Sequence, residues 1–122
     1  MKTLVKHKVN QFGRDFVVGD LHGEYNKLME QLSALNFDFD RDRLFCVGDL
    51  IDRGEESIKC LNLVFEPWFF STMGNHEYMM IEAVVRDCSE FYKMWFHNGG
   101  EWFYDLHLES KQPIKQITIY DI

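Results

Sequence analysis

Between residues 16 and 86 one pattern occurs three times: an apolar run stops at a glycine, a polar loop follows, and helical spacing resumes. Phe16, Val17 and Val18 form the first run, GDLHG follows, and Glu24 to Leu35 is helical, with Tyr25, Leu28, Leu32 and Leu35 on one face. Leu44 to Val47 reads as a second strand, followed by GDLIDRG and a helix from Glu55 to Phe65 that Pro67 stops. Trp68 to Met73 reads as a third, followed by GNHE and a helix from Glu77 to Arg86. Strands alternating with helices pair in parallel through right-handed crossovers, which puts all three strand-to-helix loops at one edge of one sheet. Asp20, Asp49 and Asn75 each follow a glycine that ends an apolar run, so topology alone predicts that they converge. Beyond Arg86, Phe91 to Tyr104 is an aromatic-rich stretch holding a Gly99-Gly100 turn, read as packing, and Ile117 to Tyr120 reads as a terminal strand.

A chain of 122 residues, 46% hydrophobic and 16% aromatic, has enough for a single core, and one domain over 1–122 is expected. The formal net charge of -7 disfavours an electrostatic grip on nucleic acid or an anionic membrane, although bound metals still attract anions. Cys46, Cys60 and Cys88 form no CxxC pair and read as reduced, mostly buried thiols. Charges interrupt MKTLVKHKVNQFGRDF, unlike a signal peptide, and no run approaches the ~20 apolar residues of a membrane span. A cytoplasmic protein is expected.

The clusters carry chemistry in combination. In an extended strand end, residues two apart point the same way, so Asp20 and His22 can direct an oxygen and a nitrogen at one cation. Taken alone, the pair is better read as Asp20 capping a helix. Asp49 has the same placement, and Arg53 offers a planar fork for two phosphate oxygens, whereas an Asp52–Arg53 pair on a solvated loop would be inert. Asn75 adds a neutral oxygen, and His76 is a residue able to donate a proton near neutral pH, to bind a metal or to cap a loop. The three clusters in this order, each at a strand end, restrict the choice far more than any one does.

GDLHG, GDLIDRG and GNHE match the GDxHG, GDxxDRG and GNHE signatures of the PPP-type metallophosphoesterases, and the chain resembles this calcineurin-like family. Within it, VVGDLHG, FCVGDLIDRGEES, CLNLVFEPWF, GNHEYMMIEA and NGGEWF are similar to the phage-lambda type of serine/threonine protein phosphatase and related prophage enzymes. The resemblance implies an α/β fold, the amino-terminal portion of a mixed β-sandwich flanked by helices. It further implies that Asp20, His22 and Asp49 hold a first divalent cation and that Asp49 and Asn75 hold a second. Manganese is the expected metal, with iron or zinc as alternatives. His76 would be the general acid, oriented by Asp52, with Arg53 clamping the phosphoryl group of a phosphoprotein attacked by a water activated between the cations.

The family supplies two more histidine ligands, another phosphate-binding arginine and most of a second sheet from a carboxy-terminal half. His97 and His107 alone follow GNHE, in segments unlike those; a structural or surface role is expected for His97 and an exposed position for His107. The expectation is therefore an incomplete second metal site, impaired turnover by this chain alone, and an uncovered sheet face that favours self-association or a partner chain. Two other readings stand beside the phosphatase: a dinucleoside tetraphosphate hydrolase, which shares the signatures, and a non-catalytic phosphatase-like binding module or prophage remnant.

Overall fold

A computed structural model describes residues 4–106, together with Lys111 and Ile114. Three parallel strands, β1 (Asp15–Val18), β2 (Arg43–Cys46) and β3 (Phe69–Ser71), form one sheet in the order β1-β2-β3. Phe16 lies beside Leu44 and Leu44 beside Phe69, while Val18 lies beside Cys46 and Cys46 beside Ser71. The expected alternation of strand and helix holds, with α1 (Tyr25–Ala34) after β1 and α2 (Ser57–Asn62) after β2. α3 (Asn75–Met80) follows β3, and α4 (Ser89–His97) lies beyond the three repeats.

The differences are local. α2 tightens into a 3₁₀ turn over Leu63–Phe65, and Phe65, expected on its buried face, is exposed. Leu35 caps α1 and is exposed too, leaving Leu28 and Leu32 as the buried stripe. The third helix begins two residues earlier than expected and widens into a π-helical turn over Ile81–Val85, closed by Arg86 N–H on the Ile81 carbonyl. The aromatic stretch forms α4 and a 3₁₀ turn, Gly100–Phe103. His107 and the expected strand at Ile117 to Tyr120 lie outside the described residues.

One face of the sheet packs on the helices through Leu44, Cys46 and Phe69, against Leu28, Leu61, Met80 and Trp95 in one continuous core. On the other face Phe45 and Phe70 stack, half-buried under the ring of His7, while Val17 is 78% exposed. Among the described residues, the face expected to be uncovered is open at β1 and partly closed at β2 and β3.

The loops at the carboxyl edge are laced together by backbone. N–H groups of Leu21 and His22 both donate to the Asp49 carbonyl, and Gly23 N–H donates to Leu50. Gly48 sits at φ 101°, and a Cβ there would lie 2.5 Å from the Gly74 nitrogen, so the second and third loops touch where a side chain cannot fit. Glu77, with no exposure, completes the lacing: Oε1 accepts from Asp49 N–H (2.7 Å) and Gly74 N–H (3.0 Å), and Oε2 from Leu50 N–H (2.9 Å). At the opposite edge the buried Asp42 carboxylate accepts from the backbone of Asp38 and Arg14 and from the Arg14 guanidinium, tying the start of β1 to the α1–β2 turn.

These two carboxylates give stability opposite pH dependences. The Asp38 and Arg14 N–H groups, then the Arg14 charge, hold Asp42 at about 2 against its ordinary 3.8, so its contribution is complete above pH ~4 and lost on acidification toward pH 2. Burial pushes Glu77 above its ordinary 4.5, with its three backbone donors opposing and the Asp49 charge adding to the rise. Its contribution is complete below that value and declines as pH rises through the elevated one. Urea denaturation with chelator present should therefore show the acid limb of stability flattened in Asp42→Asn and the higher-pH decline flattened in Glu77→Gln. Glu77→Ala, which strands buried N–H donors, should cost about 1–3 kcal/mol at neutral pH.

Candidate active site

Asp20, His22 and Asp49 each present one ligand atom, and these atoms lie within 4.8 Å of one another. Asp20 Oδ2 is 3.7 Å from His22 Nε2. The local reason differs from an extended strand end: β1 stops at Val18, and His22 sits at φ 42° in the turn that follows. The left-handed turn, not strand alternation, brings the D-x-H pair together. Asp49 is also left-handed, at φ 53°, with its carbonyl committed to the first loop and its Oδ1 accepting from His76 N–H at 3.1 Å.

The donor set fits a divalent cation. His22 Nδ1–H donates to the Ile51 carbonyl at 2.9 Å, which fixes the tautomer and leaves Nε2 with its lone pair among the carboxylates. Two carboxylates and one imidazole suit a hard or borderline metal. Among the described residues, the lysine and arginine ion pairs go to other acids, such as Arg14 to Asp42 and Arg43 to Asp15, and none goes to Asp20 or Asp49.

Beside this cluster lies a buried acid–base pair. His76, in the first turn of α3, donates from Nδ1 to Asp52 Oδ2 at 2.7 Å, and its ring meets that of His22 edge to face at 4.9 Å between centroids. Asp52 has no exposure, so the reading of an inert solvated Asp52–Arg53 pair does not describe it. Ser57 Oγ accepts from its backbone N–H, while its carboxylate also accepts from Trp95 Nε1 (2.8 Å, Oδ2) and Trp102 Nε1 (2.6 Å, Oδ1). These two tryptophans escaped sequence reasoning, which took the aromatic stretch as packing. The usable signal was that an indole N–H, when buried, needs an acceptor. Glu77, fourth letter of GNHE, was likewise not singled out.

Asn75 is exposed at the head of α3, between Gly74 and His76, both of which touch Asp49. Arg53 is exposed at φ 77°, next to Asp52 at φ 73°. His97, for which the sequence leaves a structural or a surface role open, lies exposed in the last turn of α4. Cys46 and Cys60 are buried free thiols and Cys88 is a partly buried one; burial pushes the Cys60 thiol up to about 12, away from reactivity. Among the described residues no helix is long and apolar enough to cross a membrane.

Residues 16–121 match the family of calcineurin-like phosphoesterases. The chain is 43% identical over 107 residues to serine/threonine-protein phosphatase 2 of Escherichia coli K12, covering 88% of this chain and 48% of that protein. It is 45% identical over 104 residues to serine/threonine-protein phosphatase 1 of Salmonella typhimurium, covering 85% and 47%. The chain therefore spans about half the length of the curated relatives it matches. Its fold superposes on a crystal structure provisionally described as a diadenosine tetraphosphatase, with a TM-score of 0.61 and 25% identity over 88% of this chain and 44% of that one. Sequence, fold and donor set agree: the chain belongs to the calcineurin-like phosphoesterase family, whose members use divalent metals.

Proposed function

We propose that this chain carries the catalytic edge of a metal-dependent phosphomonoesterase that acts on phosphoserine and phosphothreonine in proteins. The observation that carries the reading is the adjacency of a cation-type donor trio, Asp20, His22 and Asp49, to a buried His76–Asp52 pair. In this reading the trio holds a first cation, Asp49 is shared with a second that Asn75 also ligates, and manganese is the metal. Such cations supply Lewis-acid activation of water and neutralise the charge of a phosphomonoester.

The protein groups then have separate tasks. Asp52 accepts the His76 Nδ1 proton, so Nε2 is the ring nitrogen left to protonate the departing serine or threonine oxygen. Arg53, exposed at the loop tip, grips two phosphoryl oxygens through its fork. The protein substrate is supported by two relatives named serine/threonine-protein phosphatases, at 43% and 45% identity. Dinucleoside tetraphosphate cleavage is the second reading, supported by the likeness to the provisionally described diadenosine tetraphosphatase at 25%.

With manganese, release of phosphate from a phosphoserine peptide should exceed cleavage of diadenosine tetraphosphate, and the reverse preference overturns the protein substrate. His76→Asn should lower kcat about 10²- to 10⁴-fold on the peptide. Asp20→Asn should lower manganese affinity, and hydrolysis indifferent to both changes would come from another site or another protein. Calorimetric titration should give one tight and one weak manganese site per chain, since the trio offers three donors and Asp49 with Asn75 only two. Two equally tight sites would refute that division.

A further inference from the structure

We propose that Trp95 and Trp102 are positioning residues for His76, acting through Asp52: their indole N–H groups lock the plane of the Asp52 carboxylate, and that plane fixes the imidazole. The inference rests on the role proposed above for His76 as proton donor.

The geometry is specific. Asp52 Oδ2 is shared by His76 Nδ1 (2.7 Å) and Trp95 Nε1 (2.8 Å), while Oδ1 takes Trp102 Nε1 at 2.6 Å. A carboxylate held by one histidine can rotate about its last torsion, which is broad and roughly two-fold. Donors on both oxygens remove that freedom. Indole nitrogen is a donor only, so neither tryptophan can reverse its role as a hydroxyl or a water can, and the bulky rings keep water out. With both oxygens occupied by fixed donors, the proton between Asp52 and His76 belongs on Nδ1, which leaves Nε2 as the exchangeable position.

Each part of the local fold excludes an alternative to this pairing. Trp95 sits in α4 with no exposure, and Trp102 comes from the following 3₁₀ turn, their rings meeting edge to face at 5.8 Å. The chain reverses between them at Gly99, φ 110°, and a Cβ on Gly100 would lie 2.5 Å from the Trp95 ring. The Asn98-Gly99-Gly100 turn therefore returns the second indole to the same carboxylate.

A purely structural account would make the tryptophans and Asp52 mutual partners with no consequence for His76, and two measurements separate the accounts. The first needs neither metal nor turnover. In chelated wild-type protein, nitrogen-resolved NMR should show the Trp95 and Trp102 indole protons shifted downfield and protected from exchange relative to Trp68, which packs against Phe37, Phe39 and Phe69. His76 should be a single Nδ1–H tautomer, and it should become a mixture in Trp102→Phe, the half-buried and milder substitution, and further in Trp95→Phe. Solvent-exchanging indoles in wild type, or an unchanged tautomer in the folded variants, would overturn the proposal.

The second uses the manganese-loaded chain. Dependence on a general acid grows with the basicity of the leaving group, so Trp102→Phe should lower kcat about 10-fold or more on a phosphoserine peptide and less than about threefold on p-nitrophenyl phosphate, with KM unchanged. Equal losses on both substrates would mean a structural role only. If the chain, with the incomplete second site expected for it, hydrolyses neither substrate, the tautomer measurement alone decides whether the tryptophans position His76.

Discussion

The carboxylate of Glu77 is closed off from water and satisfied by backbone N–H groups of Asp49, Leu50 and Gly74. A buried charge costs several kcal/mol when left unpaired, so an arrangement that separated these loops would expose the full desolvation penalty. Everything at the sheet edge follows from that condition. The second and third loops are fixed to each other, the second carries the first through the Asp49 and Leu50 carbonyls, and α3 starts where Glu77 allows. Because the Glu77 carboxylate and backbone carbonyls do the fastening, Asp20, His22 and Asp49 can each still bring one ligand atom to within 4.8 Å of the others.

The same lacing sustains backbone strain that isolated loops would relax. Among the described residues six non-glycine positions have positive φ, and four of them are His22, Asp49, Asp52 and Arg53. Each such conformation costs on the order of 1–3 kcal/mol and persists only where the surroundings over-determine it. Asn36 and Asp87, the other two, follow helical segments, where short polar residues adopt this geometry readily. Positive φ at four loop residues of the carboxyl edge therefore coincides with the candidate site, with the strain heaviest at His22 and Arg53, which lack the short polar side chain that tolerates this geometry.

Much of this was legible in the sequence. The alternation of strand and helix gave the parallel sheet, and glycine followed by Asp20, Asp49 or Asn75 gave the meeting point of the loops, because both rest on topology. What escaped depended on atoms rather than patterns. The D-x-H pair converges through a left-handed turn that strand periodicity cannot express, and Leu35 and Phe65 fall at helix ends where periodicity no longer determines burial. Trp95 and Trp102 read as packing because a hydrophobic pattern registers the ring and not the N–H. Glu77 looks like a helix-surface acid until its three donors are known.

The cation cluster and the acid–base pair are coupled through short links. Asp49 Oδ1, one of the oxygens able to hold a cation, also receives the His76 backbone N–H, and the His22 and His76 rings are in edge contact. A cation held by Asp49 would therefore act on a carboxylate that is hydrogen-bonded to the head of α3, while Asp52 is held by two indoles on the far side of the imidazole. The two halves differ in their compensation. Asp52 is balanced by protein donors, whereas Asp20 and Asp49 share no described arginine or lysine partner and form the anionic side of the candidate cation site.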